Sequence, residues 1–379
     1  MTDWDVIIVG AGPAGSAAAL GAVGAGARTL IVERADLPRY KRCGGGLTGA
    51  AVRALRDLPG SFTTPTVDDV GTVTMSRALR ADRTRTAEPF VAMVRRADLD
   101  AALAQHAQDA GVTLRTGAAV REAMDDVHKI TLRLDDGTTL TAGAVVAADG
   151  AHSRLARLVG PTFAQVDFAL ETEVLATPEL AQRWRGHLHL DVGTVPGGYG
   201  WLFPKGDVLT VGVIARDDAV SSTDLRAYLD AYVNHLGLAH LPHQHAGGHH
   251  TRTRTTDSPL HAGRIVLAGD AAGWVDPWMR EGISYALRSG RWAGSAAALL
   301  ARGEDPKPAL DACRAELQPE LDAGTALLAM MRRSPWAVHA AVTRSSQGWR
   351  AMQRIAGGDA SLQRALAHPV ARRAVAALR

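Results

Sequence analysis

A chain of 379 residues is long enough for two or three domains and can bury about three quarters of its unfolded surface. Apolar residues make up 46% and charged residues 21%, which is ordinary for a soluble globular protein, and the net charge of +3 comes from interspersed acids and bases, which excludes a sustained nucleic-acid surface. The 2 cysteines cannot build a disulfide framework. No export signal or uncharged apolar run of about eighteen residues is present, so we expect a cytoplasmic protein.

The amino-terminal segment carries the most informative motif. An apolar run over residues 6–9 predicts a buried parallel strand. Three glycines follow it with the spacing G-x-G-x-x-G, at Gly10, Gly12 and Gly15. The first would make the tight turn, the second would admit a pyrophosphate close to the backbone, and the third would let the next helix pack against the sheet. A diphosphate would then lie on free N–H groups at a helix start, where the dipole favours negative charge.

The segment that follows completes a dinucleotide-binding fingerprint. A second apolar strand is predicted at residues 29–32, and Glu33 stands at its carboxyl end. An acid in this place accepts hydrogen bonds from the ribose hydroxyls of an adenine dinucleotide. Because strand, turn, helix, strand and acid occur in the required order, we favour a dinucleotide site over a glycine-rich turn that binds nothing.

The rest of the chain mixes helices with mostly antiparallel strands. After a glycine-rich loop at 38–48, the predicted elements are a helix at 49–58, strands within 70–94, a helix to about residue 110, strands at 113–114, 129–134 and 139–147, and a hairpin turn at 135–137. They continue with strands at 168–176, 187–192, 200–203 and 208–214, a helix at 222–236, a polar loop before Arg252, a buried strand from Arg264, and helices beyond Glu281 that are interrupted near 306–308, 335 and 357–358.

We interpret this order as an α/β fold with an α+β insert. A Rossmann-like nucleotide-binding domain would be assembled from residues 1–61, 94–157 and 258–303. An antiparallel β-rich substrate domain would comprise residues 62–93 and 158–257, and residues 304–379 would form a helical carboxyl-terminal region. No second G-x-G-x-x-G follows a strand, which argues against a second dinucleotide domain.

Two groups of motifs carry a resemblance to known families. Residues 5–33, 94–103, 148–153 and 264–290 resemble FAD-dependent oxidoreductases of the p-hydroxybenzoate hydroxylase type. Two further motifs look like the geranylgeranyl reductase family: Pro38-x-x-Lys41-x-Cys43-Gly44-Gly45-Gly46, and Tyr199-x-Trp201-x-Phe203-Pro204 followed after seven residues by Gly212. The resemblance covers about residues 5–300.

The resemblance implies a set of cofactor and substrate residues. FAD would be held by Gly10, Gly12, Pro13, Ala14, Gly15, Glu33, Arg34, Cys43, Gly44, Gly45, Arg96, Asp149, Gly150, Gly269, Asp270, Pro277, Arg280, Gly282 and Ile283. Within this set Asp270 would hold the ribityl chain, and residues 277–282 would lie against the flavin ring. Tyr199, Trp201, Phe203 and Pro204 would line the substrate pocket. NADPH or NADH would be the transient reductant, and no metal is expected.

Two positions depart from the family pattern. Arg280 stands where the family's G-E-G-I sequence begins, so a bulky cation replaces the residue that lets the backbone approach the ring. Ile214 replaces the second glycine of the GxG that follows the pocket motif. Three roles are open for Arg280: it would pair with a substrate diphosphate, help to hold an anionic flavin, or face water.

Cys43 is the candidate catalytic residue. An isolated, electron-rich alkene is a poor hydride acceptor, so its reduction requires a proton to arrive before or with the hydride. An ordinary thiol, with a pKa near about 8.5, is mostly protonated at neutral pH and can supply that proton. We hypothesise that hydride comes from the reduced flavin, that Cys43 lies on the proton route, and that Tyr199 and Trp201 face the developing cation. The alternative is that Cys43 is a small, inert core residue.

Two other features have competing interpretations. Tyr199, Trp201 and Phe203 alternate along a strand and share one face, which fits either core packing or a pocket lining. The helix that begins at Gly282 would point its positive end at the flavin and stabilise negative charge on the reduced ring. An ordinary amphipathic helix would have the same pattern.

For the histidine-rich stretch and the basic tail, we favour structural roles on the protein surface over ligand binding. The histidines His235, His240, His243, His245, His249 and His250 match no recognised metal-site spacing, so a solvated loop is favoured. The tail residues are Trp336, Trp349, Arg350, Arg354, Arg364, Arg372 and Arg373. They would form either a peripheral contact with an anionic bilayer or a solvated helical cap, and the cap is favoured because the cations are not confined to one face.

The sequence therefore favours an FAD-dependent reductase that saturates carbon–carbon double bonds of a prenyl chain or terpenoid. One alternative is an FAD-dependent monooxygenase that hydroxylates or epoxidises an aromatic or terpenoid substrate. A second alternative is a flavin- and lipid-binding protein without turnover.

Overall fold

The computed structural model describes residues 2–367, which form two β-sheets surrounded by helices. The strands are β1 (Trp4–Val9), β2 (Thr29–Val32), β3 (Gly46–Leu47), β4 (Thr66–Arg77), β5 (Arg80–Val94), β6 (Thr113–Arg115), β7 (Val120–Asp125), β8 (Ile130–Leu134), β9 (Thr139–Ala147), β10 (Phe163–Leu175), β11 (His187–Val192), β12 (Tyr199–Pro204), β13 (Val208–Arg216), β14 (His243–Arg254), β15 (His261–Ala262) and β16 (Ile265–Leu267). The helices are α1 (Pro13–Gly24), α2 (Gly49–Arg56), α3 (Arg96–Asp109), α4 (Ala156–Val159), α5 (Pro178–Trp184), α6 (Ser222–His235), α7 (Ile283–Ala301), α8 (Lys307–Arg333), α9 (Pro335–Arg344), α10 (Ser346–Ala356) and α11 (Leu362–Ala367).

The first sheet gathers three separated parts of the chain. Its strand order is β15-β16-β9-β1-β2-β6, and β1 pairs in parallel with both β2 and β9. β16 and β6 add further parallel pairs, while β7 and β8 attach to β9 as an antiparallel arm. The last four residues of β1 are buried, as a parallel sheet covered by helices requires. The predicted α/β fold is confirmed.

Helices α1 and α7 cross at very short range on this sheet. A Cβ atom on Gly290 would lie 2.3 Å from the carbonyl oxygen of Ala14, and one on Gly294 would lie 1.9 Å from that of Ala18. These distances are far below van der Waals contact, so the crossing requires glycine in α7. It places the start of α1 beside the second turn of α7, so that a ligand can touch both helices.

The second sheet has the strand order β14-β10-β13-β12-β11-β4-β5-β3. Its neighbours pair antiparallel except β11 and β4, which are parallel. α6 covers one face, where Leu229 and Tyr232 pack with Leu202 and Val213. The opposite face carries Trp201 and its neighbours, because side chains alternate across a strand.

Three local predictions are wrong. The polar stretch before Arg252 is an extended strand, β14, which pairs along β10. It is an edge strand rich in glycine and histidine, so it lacks the apolar alternation on which strand prediction depends. β7 was not expected, since most of its residues are exposed. Residues 46–47 of the glycine-rich loop form β3 and pair with β5.

The carboxyl-terminal region is helical through residue 367, as predicted, with an additional break at Ser345. Trp349 is buried and meets Phe90 edge-on at 5.9 Å, whereas Trp336 is exposed. Arg372 and Arg373 lie outside the described residues, and bilayer contact stays a prediction. Among residues 2–367, no helix combines the length and apolar character needed to cross a bilayer.

Candidate active site between the two sheets

The turn after β1 can exist only with glycine at two of its positions. Gly10 has a φ of +104°, and a Cβ atom on it would lie 2.5 Å from the carbonyl oxygen of Ala148. A Cβ atom on Gly15 would lie 1.8 Å from the carbonyl oxygen of Gly10. α1 starts at Pro13, and its N-cap residue, Gly12, supplies no side-chain cap, so the N–H groups of the first turn are available to an anion. This geometry fits the diphosphate of a dinucleotide.

Glu33 anchors a chain of charges behind this turn. It is 3% exposed, and its Oε2 accepts a hydrogen bond from the Ala11 amide at 2.8 Å. Arg39 connects its Oε1, at 3.2 Å, to Asp100, at 3.1 Å. Asp100 in turn accepts two hydrogen bonds from Arg96, at 2.8 and 2.9 Å. Glu33 and Arg96 were predicted to contact the cofactor, whereas Arg39 and Asp100 were not identified from the sequence.

Arg96 links this charge chain to the loop that carries Cys43. Burial of its guanidinium opposes the charge, but Asp100 and the nearby Cys43 outweigh burial and hold the pKa of Arg96 above its usual value. The residue is therefore a permanent cation beside the thiol. Such a cation suits an anionic cofactor or a developing thiolate.

The backbone around Cys43 is held by a buried lysine. Cys43 is half-buried, and its Sγ accepts a hydrogen bond from the Gly45 amide at 3.4 Å. The Nζ of Lys205 donates to the Cys43 carbonyl oxygen at 3.0 Å and lies 3.8 Å from Glu173. Burial lowers the pKa of Lys205, opposed by Cys43, Glu171 and Glu173. The sequence did offer a signal, because Lys205 directly follows the pocket motif and is one of few lysines.

The aromatic row lies directly on the glycine triplet. A Cβ atom on Gly44 would lie 2.9 Å from the Phe203 ring and 3.2 Å from Nε1 of Trp201. One on Gly46 would lie 3.2 Å from Phe203. Trp201 also covers Gly212, where a Cβ atom would come within 2.1 Å of its ring. The glycines are therefore needed because aromatic rings occupy the space of their side chains.

The third segment, residues 277–282, meets the same face of the second sheet. The Tyr199 hydroxyl donates to the carbonyl oxygen of Met279 at 2.5 Å, and Gln165 donates to that of Pro277 at 3.1 Å. Gly282 precedes α7, whose first turn is capped by Glu281: the Ser284 amide donates to Oε1 of Glu281 at 2.7 Å. A Cβ atom on Gly282 would lie 3.3 Å from Oδ1 of Asp270. The glycine triplet, the aromatic row and the start of α7 thus converge, as the sequence hypothesis requires.

Arg280 faces the second sheet and not water. Its backbone has a φ of +55°, in the left-handed region that favours glycine. Its guanidinium is 2% exposed and donates to Oδ1 of Asp167 at 3.0 Å and to the Gly197 carbonyl oxygen at 2.8 Å. It also lies 5.6 Å from the centre of the Tyr199 ring. The alternative that placed this side chain in solvent is wrong.

Several polar atoms on the Trp201 face are buried without a hydrogen-bond partner among residues 2–367. They are Nε1 of Trp201, Oγ1 of Thr210 and both carboxylate oxygens of Glu171. Glu171 pairs with Gly212 across β10 and β13, and Gly212 pairs with Trp201 across β13 and β12. Burial raises the pKa of Glu171, opposed by Lys205 and Lys41. This face can therefore hydrogen-bond a ligand that enters the site.

The other predicted site residues surround this convergence. Gly269, with a φ of +55°, approaches Ala14, where an added Cβ atom would lie 2.8 Å from the Ala14 Cβ, and it brings Asp270 to the end of β16. Removal from water raises the pKa of Asp270, opposed by Lys41 and Arg96. Arg34 is exposed, whereas Pro13, Pro204 and Ile283 are buried. Gly150 has a φ of +86°, and the neighbouring Asp149 accepts a hydrogen bond from the Arg154 amide at 3.3 Å.

A cavity of about 940 Å³ lies on the other side of the segment that precedes α7. Its walls include Thr48, Met279, Glu281 and Tyr285, together with residues of α2, α8 and α11. Neither Cys43 nor the aromatic row is among its lining residues. The cavity therefore adjoins the candidate site through Met279 but does not coincide with it.

Asp276 gives this segment a pH-dependent stability. It is 3% exposed, its Oδ1 accepts from the amides of Trp278 and Met279, and burial raises its pKa to about 6. The folded state holds the Asp276 proton more tightly than the unfolded state does. The stabilisation that this proton gives is therefore fully present below about pH 4 and is lost as the pH rises through 6. We expect the wild type to lose on the order of 2–3 kcal/mol of unfolding free energy between pH 4 and 7 through this residue. Asp276→Asn, whose side-chain oxygen can still accept both hydrogen bonds, should not show this loss.

Chemical unfolding of wild type and Asp276→Asn across that pH range measures this difference. The exposed Asp257→Asn is the matched control and should keep the wild-type profile. Parallel profiles for wild type and Asp276→Asn would show that Asp276 does not titrate with folding.

The comparisons with known proteins agree with this geometry. The family described as FAD binding domain matches residues 3–326. Menaquinone reductase of Mycolicibacterium smegmatis is 33% identical over 310 residues, which cover 76% of this chain and 75% of that protein. Geranylgeranyl diphosphate reductase of Rhodobacter capsulatus is 31% identical over 314 residues, covering 80% and 77%.

A solved structure shares the fold over nearly the whole length. The geranylgeranyl bacteriochlorophyll reductase-like protein from Thermoplasma acidophilum superimposes with a TM-score of 0.79 at 18% identity and covers 99% of each chain. At that identity the likeness concerns the fold alone. The family match and the sequence relatives show that the chain belongs to the geranylgeranyl reductase family of FAD-dependent oxidoreductases.

Proposed function

We propose that this protein saturates one or more carbon–carbon double bonds in a prenyl chain or terpenoid, with a bound FAD that NADPH or NADH reduces. The observation that carries the proposal is the contact between the Cys43 loop and the aromatic row, next to the start of α7. The Cys43 loop packs on the Trp201 and Phe203 rings, and the Tyr199 hydroxyl links the same aromatic row to the segment before α7.

Bound FAD would supply a ring that takes up and releases hydride. The residues present fit it. The uncapped start of α1 would hold the diphosphate, and Glu33 would accept from the ribose. The Gly282 backbone at the start of α7 would lie against the ring, and Asp270, which Gly282 adjoins, would hold the ribityl chain.

Cys43 would supply the proton that the double bond needs. One alkene carbon gains the hydride, the other gains the thiol proton, and the thiolate that remains takes a proton from water. The Lys205 bond to the Cys43 carbonyl fixes the loop, and the cation of Arg96 stabilises the thiolate. The rings of Tyr199 and Trp201 would face positive charge that develops on the substituted alkene carbon.

The polar atoms of the Trp201 face favour a substrate with a hydrogen-bonding group near the reacting bond. Glu171 and Thr210 have oxygens, and Trp201 an N–H, that a hydrocarbon chain alone would leave unsatisfied. A prenyl quinone or an oxygenated terpenoid satisfies them better. The name of the mycobacterial relative, menaquinone reductase, supports including prenyl quinones in the test.

Anaerobic turnover tests the proposal. Dithionite-reduced protein would be incubated with prenyl diphosphates, prenyl quinones and terpenoids, and the products read by mass. We expect a gain of two hydrogens in the prenyl chain for each saturated bond, counted after any quinol has been reoxidised because dithionite itself adds two hydrogens to a quinone ring, and no requirement for O₂. In a parallel incubation under ¹⁸O₂, incorporation of ¹⁸O into the product would instead identify a monooxygenase. A reduced flavoprotein that no substrate in the anaerobic panel oxidises would contradict turnover on this class.

A further inference from the structure

Three metal-ligand side chains converge on the face of the second sheet opposite Trp201. His189 lies on β11, His235 ends α6, and Asp82 lies on β5. One ligand atom of each residue falls within 4.8 Å of the other two. Nε2 of His235 is 3.3 Å from Oδ1 of Asp82, and Nε2 of His189 is 3.9 Å from the same oxygen.

The Tyr232 hydroxyl lies between two groups of His189, at 2.8 Å from Nδ1 and 3.3 Å from the backbone carbonyl oxygen. Metal binding through Nε2 uses the tautomer in which Nδ1 carries the hydrogen, and this arrangement accommodates it: Nδ1–H donates to the Tyr232 oxygen while the hydroxyl proton goes to the carbonyl. Nε2 of the neutral ring is then a lone pair.

That lone pair has no partner among the described residues. His189 is 2% exposed, and its Nε2 makes no hydrogen bond within residues 2–367. Its nearest acidic neighbour is the carboxylate of Asp82, whose side chain is 47% exposed and whose Oδ1 lies 3.9 Å away. A buried ring nitrogen without a hydrogen-bond partner, beside a carboxylate and a second imidazole, is an arrangement that a bound cation would complete.

The neighbouring polar groups already have partners of their own. Nε2 of His187, two residues along β11, contacts the Thr74 hydroxyl at 2.7 Å. The Asp191 carboxylate accepts from Ser76 at 2.5 Å and from the Tyr228 hydroxyl at 2.7 Å. They do not compete for the space between His189, His235 and Asp82, which we call the Asp82 cluster.

We propose that the Asp82 cluster binds a divalent transition-metal ion, with Zn²⁺ the best match. Two imidazoles and one carboxylate suit Zn²⁺, which binds each at about 2.0–2.2 Å and keeps a fourth, open position for water. The Asp82–His235 separation already suits such a site, and the Asp82–His189 separation needs a movement of less than about 1 Å. The Nδ1–H bond to Tyr232 is the outer contact that orients a ligating histidine.

The ion would have a structural role. It would join β5, β11 and the end of α6, on the side of the sheet away from Cys43. Its ligands are separated by more than forty residues along the chain, which is why the spacing of the histidines alone gave no indication of the site. The inference does not depend on the proposed reductase activity.

Zinc binding to the full-length, tag-free protein tests the proposal. Protein would be dialysed against EDTA and then against buffer, and titrated with ZnSO₄. Bound metal would be counted by mass spectrometry, and the Tm would be measured by thermal unfolding. We expect one tightly bound Zn²⁺ per chain and a Tm raised by several degrees at saturation. Asp82→Asn and His235→Ala, which change partly exposed side chains, should lose the ion and the Tm rise.

His240→Ala is the matched control, because His240 is exposed and lies outside the Asp82 cluster. This variant should bind zinc as the wild type does. Absence of stoichiometric zinc from the wild type would overturn the proposal. Zinc that His235→Ala and Asp82→Asn retain at wild-type affinity would overturn it as well, since the ion would then bind elsewhere.

Discussion

Cys43→Ala is expected to slow double-bond reduction by about 10²–10⁴-fold while the protein keeps its flavin. The thiol is the group that the geometry offers as a proton donor next to the aromatic row; Arg96 lies near it, and Lys205 holds the backbone carbonyl of the same residue. Removing the sulfur leaves the glycine triplet and the rings in place. The measurement is the anaerobic single-turnover rate at saturating substrate, with flavin content determined by absorbance.

Cys313→Ala is the matched control. Cys313 is buried in α8 within the core of the nucleotide sheet and takes no part in the proposed chemistry. Its replacement should leave the rate unchanged. If Cys43→Ala turned over like the wild type, the proton would come from another group, and the proposed role of Cys43 would be wrong.

The nucleotide-binding part of the fold could be predicted because its signals are local. β2 and β9 begin and end at the predicted residues. In each case an apolar run, a turn residue and a helix boundary lie next to one another in sequence. The glycines at positions 10 and 15 are required by contacts within this same unit, so their spacing was enough to predict the turn and the helix that follows it.

The partners of the site residues could not be predicted, because they depend on strand register. Lys205 reaches the Cys43 carbonyl across 162 positions of sequence, and Arg280 reaches Asp167 across 113. No local pattern specifies such pairs. The polar face around Glu171 was missed for the same reason, since only the pairing of β10, β13 and β12 brings it beside Trp201.

The departure at Arg280 shows how sequence and structure combine. The family pattern identified the position as one that normally has glycine, and the structure shows why, since its φ lies in the left-handed region. The side chain, however, is buried against β10 and the Tyr199 ring. An unusual backbone is thus retained together with a buried ion pair, which indicates that the pair compensates for the strain.

Arg280→Met is therefore expected to lower the free energy of unfolding by about 3–5 kcal/mol. The substitution leaves the carboxylate of Asp167 buried without its cation and removes the donor to the Gly197 carbonyl. Within residues 2–367, only the Gln165 amide would still donate to the Asp167 carboxylate, at 2.6 Å. Urea unfolding of the flavin-free protein, followed by tryptophan fluorescence, measures the change.

Three further variants separate the effects of burying the ion pair, of the left-handed backbone and of the unpaired Asp167 carboxylate. Arg302→Met breaks an exposed pair with Glu304 and should cost less than about 1 kcal/mol. Arg280→Gly relieves the backbone but also loses the pair, so it should recover only about 1 kcal/mol relative to Arg280→Met. Adding Asp167→Leu to Arg280→Met removes the stranded charge and should restore part of the stability. If Arg280→Met were as mild as Arg302→Met, the buried pair would not be what holds residues 277–282 against the second sheet.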